Sequence, residues 1–158
     1  MTIKIKISVF STMIFMAISV FTLAGTATCD LITNGSFDSS FSGWTKQGID
    51  SWAGTNLSNY RTAYGYAALG VDSSGSPKNG ADGAFYQTVA IPATATKATF
   101  SFWYYITSNE DNAEKYDKLW VSIRDSSGGF LEYAAELSNK DKTTGYVKYT
   151  FPSDMTDH

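Results

Sequence analysis

Residues 96–106, Thr-Lys-Ala-Thr-Phe-Ser-Phe-Trp-Tyr-Tyr-Ile, alternate along their whole length. Ala98, Phe100, Phe102, Tyr104 and Ile106 fall on one side; Thr99, Ser101, Trp103 and Tyr105 fall on the other. A period of two belongs to a strand, and a slip of one residue would invert every side chain. The first side is core. The second is polar but carries two large aromatics, which suits a ligand or a covering loop.

Residues 117–125 alternate just as cleanly. Leu119, Val121 and Ile123 oppose Lys118, Trp120, Ser122 and Arg124. Residues 84–91 place Phe85, Gln87, Val89 and Ile91 together, and Pro92 ends the run. Further strands are expected at 43–45, 64–71, 130–137 and 145–151, separated by Gly, Ser and Pro turns. Residues 49–60 read as polar and irregular. Trp44, close to Phe37 and Phe41, reads as core. Seven or eight short strands without a helical apolar period predict an all-β sandwich or jelly roll. A length of 158 residues suits one domain.

Residues 1–29 read as an export signal. Lys4 and Lys6 form its positive start, residues 7–24 carry no charge, and Gly25-Thr26-Ala27-Thr28-Cys29 offers small residues for cleavage. Cleavage falls after Ala27 or after Cys29. A lipoprotein attachment at Cys29 matches the flanking threonines poorly, and an uncleaved anchor is the competing reading. The folded part, 30–158, is expected to be secreted or at the cell surface, with no membrane insertion after cleavage.

Charge and composition exclude several functions. After the leader, ten basic residues face fifteen acidic ones with no basic stripe, which argues against nucleic acid. One Cys and one His leave no internal disulfide and no Cys/His zinc site. They also leave no base for a Ser-His-Asp or Cys-His nucleophile. The acids cluster in loops such as Glu110-Asp111, where solvation explains them. The expectation is a protein that is not an enzyme, with no catalytic residue assigned. The sequons at Asn34 and Asn56 read equally well as turn chemistry.

The candidate ligand-binding residues are Trp103, Tyr105, Trp120 and Arg124, with Trp52 and Tyr86 as weaker additions. If strands 96–106 and 117–125 are neighbours in one sheet, the first four share a surface. Aromatic rings would then meet the apolar C–H faces of sugars, with Arg124 meeting hydroxyls. The alternative is that these aromatics lie under a loop such as 49–60 or pair across strands.

Leu31-Ile32-Thr33-Asn34-Gly35-Ser36-Phe37-Asp38, followed by Gly43-Trp44-Thr45, resembles the opening of galactose-binding-like jelly rolls. These include the carbohydrate-binding modules of secreted glucanases and xylanases. Gln87-Thr88-Val89-Ala90-Ile91-Pro92, Phe100-Ser101-Phe102-Trp103-Tyr104, Tyr116-Asp117 and Leu119-Trp120-Val121 follow in the same order. Accessory domains of extracellular peptidases and surface proteins are similar too. The resemblance implies a non-catalytic domain that binds a polysaccharide or glycan, or else a structural, adhesive role. It also implies a structural calcium, with Asp38 as the first-strand acid. The family's last strand, with its Asp-Asp-Val-type ending, has no counterpart after Phe151. The resemblance therefore implies a jelly roll lacking its final strand, with a sheet edge left unpaired.

Overall fold

The computed structural model describes residues 1–10, 14–18, 22–23, 30–48, 51–54, 65–72, 76, 78–110 and 114–157. At 8–10, 14–18, 22–23 and 51–54 the description concerns the backbone. The described strands are β1 (Thr2–Phe10), β2 (Ile14–Ile18), β3 (Thr22–Leu23), β4 (Thr45–Gln47), β5 (Ser51–Gly54), β6 (Tyr66–Leu69), β7 (Asp82–Ala90), β8 (Ala98–Thr99), β9 (Ser101–Ile106), β10 (Lys118–Asp125), β11 (Phe130–Ser138) and β12 (Val147–Thr150). Two short 3₁₀ turns, Asn139–Asp141 and Met155–Asp157, are the described helical structure. The first sheet runs β11-β10-β1-β7-β4, the second β12-β9-β2-β6-β5, and β3 pairs with β8. Every pairing is antiparallel.

The protein is an all-β sandwich. Alternation explains which side of each strand is inside. Leu119, Val121 and Ile123 of β10, Phe85, Gln87 and Val89 of β7, and Ile3, Ile5 and Ile7 of β1 are buried on the first sheet. Ala67, Leu69, Phe102 and Ile106 meet their apolar members from the second sheet in one cluster. Strand 96–106 is interrupted at Phe100, whose carbonyl accepts from the Phe151 amide at 2.9 Å. Phe100 and Phe102 remain inside, with ring centroids 5.7 Å apart. Residues 51–54, read as irregular, form an edge strand because β6 supplies a pairing partner from Tyr66 to Leu69.

The position of β1 is the least expected feature. It lies within the residues read as a leader, yet it is the central strand of the first sheet. It pairs with β7 from Thr2 to Phe10 and with β10 from Ile3 to Phe10. Ile3, Ile5 and Ile7 are each 0% exposed. At roughly 1.5–3 kcal/mol per buried aliphatic side chain, the three contribute an amount comparable to a domain's net stability of about 5–15 kcal/mol. In the second sheet, β2 sits between β6 and β9. Among the described residues no helix is long and apolar enough to cross a membrane.

The shared aromatic face does not form. β9 and β10 belong to different sheets. Trp103 and Tyr105 therefore point away from the core of the second sheet, and Trp120 and Arg124 away from that of the first. Alternation fixes the side of a strand on which a residue lies. It says nothing about the sheet the strand joins, and the chain changes sheet between Ile106 and Lys118.

Candidate functional site

The segment 31–44 is tied to the sandwich by a buried amide. Gln87 Nε2 donates to the carbonyls of Thr33 (2.9 Å) and Gly43 (2.8 Å), and Gln87 Oε1 accepts from the Thr33 amide (2.7 Å). Asn34 takes a left-handed conformation, φ 52°, and its Nδ2 donates to the carbonyls of Ser40 and Ser42. Trp44 donates from Nε1 to the Asn34 carbonyl and stacks on Phe37 at 5.4 Å, so it is core, as its sequence neighbourhood suggests. Phe37, Phe41, Trp44 and Phe85 form one aromatic cluster. The family-like motif is thus a structural clasp.

Asp38, the calcium candidate, is exposed at the rim of this clasp and accepts from the Ser36 hydroxyl at 2.8 Å. Calcium takes six to eight oxygen ligands. Among the described residues no group of three or more His, Cys, Asp or Glu side chains is arranged to hold a metal. A calcium at Asp38 would need ligands beyond those described.

On the second sheet, Tyr105 packs against a small cluster of Tyr66, Ala68 and Val71, and its ring lies 5.8 Å from that of Tyr146. Trp103 is half-buried, with Lys148 of β12 and Ala17 of β2 as its register neighbours. Trp52 lies opposite Ala68 on β5. Tyr105 is therefore used in packing.

The outer side of β10 and β11 gathers a different set. Trp120 stands opposite Glu136, Ser122 opposite Tyr133, and Arg124 opposite Phe130. Cross-strand partners share a face. Phe130 and Tyr133 are 50% and 51% exposed, with ring centroids 4.8 Å apart. The Arg124 guanidinium carbon lies 5.9 Å from the Phe130 ring, and Lys118 Nζ lies 5.7 Å from the Trp120 ring. Arg124 is fixed by donating to the Gly128 carbonyl at 2.9 Å and to Ser122 Oγ at 3.3 Å.

Sequence reasoning missed Phe130, Tyr133 and Glu136. The two aromatics are three residues apart, which in a regular strand puts them on opposite sides. Register shifts between Val121 and Ser122 and between Ile123 and Arg124 pass over Ala134 and Leu131, and so bring both rings outward. The turn that sets this register is held by Asp125. Its Oδ1 accepts from the Ser127 hydroxyl (2.6 Å) and the Gly129 amide (2.8 Å). These bonds, the Ser127 hydroxyl first, hold the Asp125 carboxyl below the usual carboxylate range.

Beside this platform, towards β7, a polar cleft of about 210 Å³ is lined by Lys4, Lys6, Gln47, Tyr86, Arg124 and Ser127 together with Gly128. Lys4 Nζ sits 4.7 Å from the centre of the Tyr86 ring. Arg124 thus borders both features.

The chain matches no protein-family model, no curated protein and no solved structure.

Proposed function

We propose that this domain is a non-catalytic, extracellular carbohydrate-binding module whose platform is the outer face of β10 and β11. The observation that supports it is the grouping of Trp120, Phe130 and Tyr133 with Arg124 and Glu136 on one exposed face. Rings that leave water against the C–H faces of sugars gain roughly 25 cal/mol per Å² of apolar area. Arg124 and Glu136 supply a donor and an acceptor for hydroxyls. At ~3.3 Å per residue, Trp120 and Arg124 are about 13 Å apart along the strand, so the face suits a chain of sugars rather than a single ring. The order of motifs that resembles galactose-binding-like jelly rolls supports the same reading. It is also compatible with a jelly-roll topology for the sandwich.

The test is a glycan array probed with the folded protein and with Trp120→Ala and Phe130→Ala. Binding to a polysaccharide or glycan is expected, and each substitution should weaken it about tenfold or more, as for central aromatic contacts elsewhere. A folded protein that binds no glycan would sink this reading. That result would favour a structural or adhesive accessory domain of a larger secreted peptidase or surface protein. The engagement of Tyr105 in packing on the second sheet speaks for that alternative.

A further inference from the structure

The central position in the first sheet is filled by residues whose sequence also has the pattern of an export leader. A segment removed on export cannot also serve as the middle strand of a sheet. β7 and β10 are each paired with β1 on one side, and with β4 and β11 respectively on the other. They do not pair with each other. Without β1, two long strands would face one another across an open slot, each with a row of unmet backbone donors and acceptors.

The resident strand fits this slot fully on its inward side, while outward its fit is mixed, with Lys4 over the Tyr86 ring at 4.7 Å. Inward, Ile3, Ile5 and Ile7 are fully buried in the common core. Outward, Lys4 stands directly opposite Arg124 in the register. Like charges facing each other across strands are unfavourable. Burial, and then the charge of Arg124, push the Lys6 amine below its ordinary value, with Asp82 acting in the opposite direction. A strand with the same inner face and an acid at the place of Lys4 would meet Arg124 as a partner.

We propose that the slot between β7 and β10 is a strand-accepting site, held here by Thr2–Phe10 and open to an extended segment of another polypeptide when that strand is released. The fitting partner carries aliphatic residues at alternate positions and an acidic residue opposite Arg124. Recognition would follow the strand-addition mode, in which main-chain bonds supply affinity and alternate side chains supply selectivity. The inference does not depend on carbohydrate binding, because it concerns the interior of the sheet.

The test uses the full chain with a protease recognition sequence inserted between residues 10 and 14, so that β2 and β3 stay with the domain. The folded protein is cut, held at a urea concentration just below its unfolding transition, and challenged with three labelled nine-residue peptides. One has the Thr2–Phe10 sequence, one the same sequence with Lys4→Glu, and one has every apolar residue moved by a single position. Anisotropy and native mass spectrometry read the exchange. One peptide per domain should replace the cut fragment. The Lys4→Glu peptide should bind about tenfold tighter than the resident sequence, and the shifted peptide should not compete. Equal competition by the shifted peptide, no exchange of any peptide, or loss of the fragment with amide protection of β7 and β10 intact would each overturn the proposal. Should the inserted sequence prevent folding, Lys4→Glu in the unmodified full chain provides the check. It should raise the thermal midpoint, and an unchanged or lower midpoint would overturn the charge match.

Discussion

Gln87 shows how one buried amide can stand in for missing backbone partners. Its carboxamide meets the amide and carbonyl of Thr33 and the carbonyl of Gly43. Gln87→Leu keeps the approximate volume and strands those groups. Leaving buried polar groups unmet costs about 1–3 kcal/mol each, so urea denaturation should show a loss of at least about 2 kcal/mol. Tyr66 poses a different question. Burial pushes its phenol up to about 12. Below pH 10 the phenol is protonated in the folded and the unfolded chain alike. Between 10 and about 12 only the unfolded chain gives up the proton, so stability falls with rising pH across that window. Titration by ultraviolet absorbance should find a late tyrosine step that is lost in Tyr66→Phe, and Tyr66→Phe should flatten the alkaline fall in stability. The inward side of Gln87 was legible from the alternation of 84–91. Its bonds were not, since they depend on a segment more than forty residues away in sequence.

At the scale of the element, alternation was a reliable guide to inside and outside and no guide to sheet membership. β9 and β10 have the same pattern, yet they lie on opposite sheets. Trp103 and Trp120 accordingly become independent probes. Trp103→Ala should leave glycan binding unchanged, whereas Tyr133→Ala should weaken it about tenfold. Equal losses at Trp103 and Tyr133 would contradict the β10–β11 platform. The rings of Phe130 and Tyr133 were hidden in the sequence because two bulges break the period of two. Their exposure on an edge strand is also the kind of surface that invites unwanted pairing. The outward charges of β10 and β11, Arg124 and Glu136 among them, oppose that tendency.

At the scale of the whole molecule, residues 1–29 carry two readings that a single molecule satisfies only one at a time. As a leader they would leave, and the pattern of two lysines followed by an uncharged apolar run is what export machinery engages. As a strand, 2–10 joins the two halves of the first sheet. Lys4 and Lys6 serve both readings, as the positive start of a leader ahead of the uncharged run 7–24 and as the outward members of the Ile3, Ile5, Ile7 alternation, so the same residues fit either pattern. Ile5 distinguishes them in practice. Its side chain is fully buried between β7 and β10, and deleting an aliphatic side chain at such a site costs about 2–5 kcal/mol. In the full chain, Ile5→Ala should lower unfolding stability by that amount. In protein recovered from outside the cell after leader removal, the same substitution has left with the leader, and the measured stability should equal that of the unsubstituted protein. If Ile5→Ala destabilises the exported protein as well, the segment has been retained and β1 is a permanent part of the sheet.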